Sequence, residues 1–297
     1  MTGAVHPYGS AIYASAFAPL RSIHLRNVRT HVLVRPIAGA AECDAMGCYP
    51  LCVFDANDGI REDFAELARV GIVSLVIVTD CLTQPDHAFL DAHFDRVRPY
   101  KAHYVYDARL PNGDYTKHHR DRARRARKSC ETRVVALSEH LDSWCACYET
   151  LVKKKGITGI QNFSRSYFET ISEMPEAVTI AAFAGGEFVS GHIWFRFGRH
   201  AHAHLAASTE LGYKLRSAFA IYDHAIQLFR NEYTIDFGGG AGAEASQSDG
   251  LADFKRGFAN AARENFLCGK ILDGAAYERL STGPQRTDGY FPAYRRP

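Results

Sequence analysis

The sequence predicts an α/β fold with mixed (α+β) sheets, arranged as two folded units. Three observations carry this expectation. Ile72 to Thr79 (IVSLVIVT) is apolar almost throughout and bounded by Gly71 and Asp80, as a strand buried on both faces would be, and an amphipathic helix precedes it. Residues 177 to 207 hold three strand-like runs separated by Gly185-Gly186 and Gly198-Arg199, which reads as an antiparallel meander. The length of 297 residues, at about 150 per domain, points to two units.

In chain order, a ragged opening segment is followed by strand runs at Thr30 to Arg35 and Tyr49 to Phe54. A helix then carries Ile60, Phe64, Leu67 and Ala68 on one face and stops at Gly71. After the strand 72 to 79 come a helix from Pro85 through Phe94, a strand Lys101 to Asp107 and the turn Pro111-Asn112-Gly113-Asp114. Lys117 to Lys128 holds seven Lys or Arg against one Asp and no helix breaker, so a basic helix is expected with Arg120, Arg124 and Arg127 on one face. The strand Thr132 to Leu137 and the helix Glu139 to Lys154 follow.

The second half reads as helix Arg165 to Met174 and the three meander strands, Ala177 to Ala184, Phe188 to Phe197 and His200 to Ala207. A long helix Gly212 to Arg230 leads to strand Tyr233 to Phe237, the run GGGAGAEASQSDG, a helix from about Asp249 and strand Asn265 to Leu272.

Composition sets the outer limits. The 35 basic against 33 acidic residues leave a net charge of +2, so any binding of a polyanion has to be local. No stretch reaches the roughly 18 apolar residues of a bilayer-spanning helix. Pro7, Gly9 and Pro19 interrupt the opening residues, which argues against a signal peptide and for a cytoplasmic protein. The eight cysteines show no CxxC or zinc-ligand spacing and are expected as reduced thiols.

Specific residues then narrow the class. His204-Leu205-Ala206-Ala207, Leu211-Gly212-Tyr213, Ile235-Asp236-Phe237-Gly238-Gly239 and Gly250-Leu251-Ala252-Asp253-Phe254-Lys255-Arg256-Gly257-Phe258 stand in the order strand, helix, strand, loop, helix. This resembles the FemAB-like branch of the GNAT acyltransferase superfamily, with its Asp-Phe-Gly-Gly and Gly-Leu-x-x-Phe-Lys-x-x-Phe signatures. Tyr104-Val105-Tyr106-Asp107 and the basic helix extend the likeness into the first half, so it spans most of residues 30 to 275, with no room for the helical arm of some cell-wall members. The resemblance implies two tandem GNAT-like lobes, at 30–138 and 139–275, between an N-terminal extension at 1–29 and a C-terminal tail at 276–297.

It also implies transfer of an acyl or aminoacyl group to an amine by direct attack. Such chemistry needs a deprotonated amine beside the acyl carbon and positive charge or N–H donors at the nascent oxyanion. Lys255 matches the family's Phe-Lys lysine and takes that electrostatic role. Asp236 and His204 are the candidates for proton removal, each with a plainer reading as a turn former or a strand residue.

The start of the long helix, with Gly212, Tyr213, Lys214 and Arg216, is where ordinary GNAT enzymes hold the pyrophosphate of coenzyme A. Their Arg/Gln-x-x-Gly-x-Gly/Ala loop is reduced here to Gly212, and a helix capped by Ser208 or Thr209 is the alternative. Gly238, Gly239, Gly240 and Gly242 permit close approach of a ligand to the backbone, or simply flexibility. Tyr104, Arg120, Arg124 and Phe254 are the candidate acceptor-site residues.

His200, His202 and His204 alternate along one strand about 6.7 Å apart, but with no cysteine or carboxylate at ligand spacing no metal is expected. No tightly bound cofactor is implied; acyl-coenzyme A is the first candidate co-substrate and aminoacyl-tRNA the alternative donor, with a small-molecule amine as acceptor. A catalytically silent protein that binds a metabolite or partner, with Tyr290-Phe291-Pro292 blocking the cleft, is the reading outside catalysis.

Overall fold

The computed structural model describes residues 4–111, 113–240, 250–282 and 290–296. The chain divides into two compact units, one made of 1–100 with 265–297 and the other of 101–264. Its elements in chain order are α1 (Ala11–Ser15), β1 (Ser22–Leu25), β2 (Thr30–Pro36), β3 (Cys43–Gly47), α2 (Ile60–Arg69), β4 (Ile72–Val78), α3 (His87–His93) and β5 (Arg96–Tyr106). There follow α4 (Lys117–Ala126), β6 (Glu131–Val135), α5 (Leu141–Lys155), α6 (Arg165–Ser172), β7 (Ala177–Ala184), β8 (Glu187–Phe197) and β9 (His200–Ser208). The last are α7 (Glu210–Leu215), α8 (Ser217–Phe229), β10 (Thr234–Asp236), α9 (Gly250–Phe258), β11 (Ala261–Ile271) and α10 (Gly274–Leu280). The mixed α/β class read from the sequence is the class observed.

In the first unit the strand order is β1-β2-β3-β4-β11, antiparallel except for the parallel pair β3 and β4. Ile60, Phe64 and Leu67 of α2 pack with Val32, Leu75 and Cys268, as their helical spacing predicts. The second strand forms at Cys43–Gly47, and of Tyr49–Phe54 only Cys52 bridges, to Thr79. Pro50 has no N–H to give a ladder. The true strand was hidden by Asp44, a wholly buried carboxylate that Arg35 and Arg295 neutralise from either side. The opening segment is also ordered, since Ser22 to Leu25 pair with Leu33 to Thr30.

The described residues of the tail belong to this unit. Phe291 packs so closely on Gly269 that a Cβ there would meet its ring at 2.5 Å, and Tyr294 hydrogen-bonds Ser74 at 2.7 Å. No disulfide links any of the described cysteines, and burial pushes the Cys52 and Cys268 thiols up to about 12.

In the second unit the order is β5-β10-β9-β8-β7-β6, antiparallel apart from β9 and β10. That parallel ladder ends at Asp236 opposite His202, while β9 runs on to Ser208. α5 and α6 cover one face of the sheet; α8, with α4 and α9, covers the other. Residues 117–138, expected in the first lobe, pack here, with α4 against α8 and β6 paired to β7. The long helix breaks at Arg216, which adopts the left-handed conformation at φ 58°, so α7 and α8 are separate helices. No described helix is long and apolar enough to cross a membrane.

Candidate active site

The Asp-Phe-Gly-Gly motif is the end of β10 and a turn pinned from several directions. Asp236 is 2% exposed; one carboxylate oxygen accepts the Gly238 N–H at 2.7 Å and the other lies 2.8 Å from His103 Nδ1. Gly238 has φ 78°, a conformation that favours glycine, and its carbonyl accepts the Tyr104 N–H at 3.2 Å. Phe237 is buried, and its N–H donates to the Tyr104 carbonyl at 2.9 Å.

Two lysines close the turn. Lys255 Nζ donates to the Gly239 carbonyl at 2.7 Å, and Lys101 Nζ to that of Gly240 at 3.4 Å. A Cβ on Gly238 would stand 3.1 Å from the Lys255 ammonium. Gly242 and Asp249 lie outside the described residues.

α9 presents Lys255 from an aromatic footing. Phe254, half-buried, packs against Phe219 at 4.9 Å and Tyr222 at 4.8 Å at the margin of the aromatic core. Gly257 is small because the His119 imidazole occupies the space where its Cβ would be. His119 hydrogen-bonds Thr116 and the Phe254 carbonyl and touches Phe258, a relationship the chain order conceals.

On β8, His192 stands edge-on to Tyr222 at 5.3 Å. Burial, then the nearby charge of Lys255, pushes its imidazole down to about 3. Sequence reasoning passed over His103, His119 and Tyr222, and read His192 as a half-exposed strand residue, whereas it is buried at 4%. Only His192 carried a signal, its alternation with Trp194 on a strand whose partner helix holds the aromatic core.

His204 is placed differently from Lys255. It sits at a bulge in β9, its Nε2 is 2.7 Å from the Tyr167 hydroxyl of α6, and its ring lies 4.7 Å from Phe195. Phe195 points away from the side taken by His192 and Trp194, so His204 belongs to the α5–α6 face. Burial, then His202, pushes it down to about 3. On that face Asp236 is the register partner of His202, with ligand atoms within 4.8 Å. The strand therefore does have a carboxylate neighbour, one that spacing along the chain did not reveal.

At the helix start Thr209 is the cap, its hydroxyl accepting the Gly212 N–H at 3.0 Å. A Cβ at Gly212 would overlap the Val189 carbonyl oxygen, so backbone packing demands glycine there. Tyr213 is exposed with Lys154 Nζ 4.3 Å from its ring centre, and Lys214 and Arg216 are exposed. Ser217 opens α8 by donating to the Gly212 carbonyl at 3.0 Å.

The basic helix is partly spent on the fold. Arg120 donates to the Tyr115 carbonyl, Arg127 pairs with buried Asp223, and Arg124 lies 3.2 Å from Asp121. Arg124, Arg125 and Lys128 line a cavity of about 270 Å³ with Asp121. Tyr104 Oη accepts a hydrogen bond from Arg256 at 3.0 Å.

Residues 115–256 match the family model of the acetyltransferase (GNAT) domain. Among solved structures, FemX is 12% identical over 92% of this chain and 95% of its own, with a TM-score of 0.68. The C-terminal domain of a putative lysylphosphatidylglycerol synthetase from Agrobacterium fabrum is 14% identical over 90% and 89%, at 0.62. L-PGS from Bacillus licheniformis is 13% identical over 88% of each chain, at 0.63. No curated protein sequence matches. At these identities the structural likeness is one of fold. Residues 115–256 thus match the GNAT domain family, and the chain has a tandem GNAT-like fold that it shares with FemX.

Proposed function

We propose that this protein transfers an acyl group from an activated carrier to an amine by direct attack, with Lys255 stabilising the oxyanion. The observation that carries the reading is the ammonium of Lys255, half-buried and hydrogen-bonded to the Gly239 carbonyl at the end of β10. A lysine so held exchanges one oxygen partner for another, carrying its charge from a backbone carbonyl to the substrate oxygen. Asp236 contributes by setting the turn that presents Gly239. Acyl-coenzyme A is the first candidate donor.

A second reading takes an aminoacyl group from transfer RNA. The exposed cations Lys117, Arg124, Arg125 and Lys128 of α4 and its end favour it, as phosphate contacts. Transfer of an aminoacyl group also accords with the name of one structural relative, the C-terminal domain of a putative lysylphosphatidylglycerol synthetase.

The donor is tested by thermal stabilisation with coenzyme A, acetyl-coenzyme A and aminoacylated RNA, followed by mass-spectrometric detection of product on a panel of amines. Stabilisation and transfer with one donor support the reading and choose between its forms. Absence of both with every donor would overturn it.

A further inference from the structure

We propose that His192 hydrogen-bonds the acceptor amine, beside Lys255 at the oxyanion. The inference rests on the acyl-transfer reading above and adds to it the group that holds the nucleophile.

His192 projects from β8 toward α8, where its ring meets the edge of Tyr222. The same Tyr222 stacks on Phe237 of the Asp-Phe-Gly-Gly motif, with ring centres 5.1 Å apart, and packs against Phe254, the residue before Lys255. One tyrosine thus joins His192 to both signatures. Along β8, His192 is the register partner of Ala206, on the part of β9 that extends past the end of its ladder with β10. The imidazole therefore belongs to the stretch of sheet where the two parallel strands are no longer paired.

The neighbouring histidines are hydrogen-bonded. His103 spends a ring nitrogen on Asp236, His119 on Thr116 and the Phe254 carbonyl, and His204 on Tyr167. His192 is only 4% exposed, yet makes no hydrogen bond among the described residues. Neither ring nitrogen is among the described side-chain atoms sealed in without a partner, so the imidazole is open to one from outside.

Chemistry selects that partner. A neutral imidazole carries one N–H and one lone pair. Lys255 and burial keep His192 neutral, leaving the lone pair to accept an N–H. The same ammonium disfavours a second cation, so an amine binds beside it as the free base. With one N–H held by His192, the amine lone pair forms the C–N bond and the carbonyl π pair moves to oxygen near Lys255. Collapse breaks the carbon–carrier bond, and the proton given up by nitrogen ends on the departing carrier. His192 orients the amine and keeps no proton.

The probe is glycinamide, an amine of ordinary basicity titrating near about 8 and therefore free base at pH 9. In protein labelled with ¹⁵N at histidine, the His192 ring signals, assigned by their loss in His192→Gln, are expected to shift saturably as glycinamide is added. An unmoved His192 signal up to solubility-limited amine overturns the proposal, whether or not transfer is observed.

Kinetics with acetyl-coenzyme A and glycinamide supply the second measurement. His192→Leu is expected to raise the amine KM about tenfold with the donor KM unchanged, and His192→Gln, which keeps an acceptor, to recover most of it. An unchanged amine KM in His192→Leu overturns the proposal. A shifted His192 signal without any transfer instead supports amine binding and counts against the donor assignment.

Discussion

Lys255 and His204 stand on opposite faces of one sheet, the lysine with the α8 and α9 aromatic cluster and the histidine against Tyr167 of α6. The two candidates drawn from neighbouring signatures are therefore expected to differ in role. Lys255→Ala is expected to lower kcat by about 100-fold, the effect of removing one oxyanion donor. His204→Phe is expected to leave kcat within about threefold of wild type and to cost about 1 to 3 kcal/mol of stability, because the hydrogen bond between the imidazole and the Tyr167 hydroxyl is lost. Steady-state kinetics and urea unfolding of both variants check this; a larger kcat loss in His204→Phe would reverse the assignment.

Stability should fall in mild acid before most carboxylates titrate. His192 and His204 are held to about 3 in the folded chain, against about 6.5 when unfolded, so the unfolded state binds more protons between those values. Their share of stability is intact above about pH 6.5 and is lost as pH drops toward 3, each histidine giving up to about 1.4 kcal/mol per pH unit. Urea midpoints at pH 7.5 and 4.5 should differ less in His204→Phe than in wild type. An equal difference would show that His204 does not carry the effect.

Gly257→Ala is expected to destabilise the second unit by about 1 to 3 kcal/mol, because its Cβ would overlap the His119 ring. A smaller residue at position 119 should return part of the loss. Comparing Gly257→Ala, His119→Ser and the double variant in a thermodynamic cycle tests the contact, and strict additivity would refute it.

Asp44→Ala is expected to cost about 3 kcal/mol, since Arg35 and Arg295 would face each other across a site with no anion. Arg295→Ala removes one of two partners and should cost less. A shift below that of Arg295→Ala in denaturant unfolding would contradict the clamp.

Residues whose burial follows a simple period were legible in the chain, such as Ile60, Phe64 and Leu67 on α2 or the meander β7 to β9. Elements ruled by a single polar partner were not. Asp44 made β3 look like a loop because its two arginines come from elsewhere in the chain. The break at Arg216 was invisible since a left-handed residue other than glycine has no compositional mark. At the site, the Asp-Phe-Gly-Gly and Phe-Lys signatures do converge on Gly239, as local motifs on adjoining elements. The separation of His204 from Lys255 depends on a bulge in β9, which shifts no residue type and leaves no pattern to read.

The first unit joins two separate stretches of chain, 1–100 and 265–297, since β4 pairs with Leu267 to Ile271 of β11. During synthesis, residues 101–264 are complete before Leu267 to Ile271 have been made. The unit carrying Lys255 thus has all its residues while the other still lacks the strand that pairs with β4.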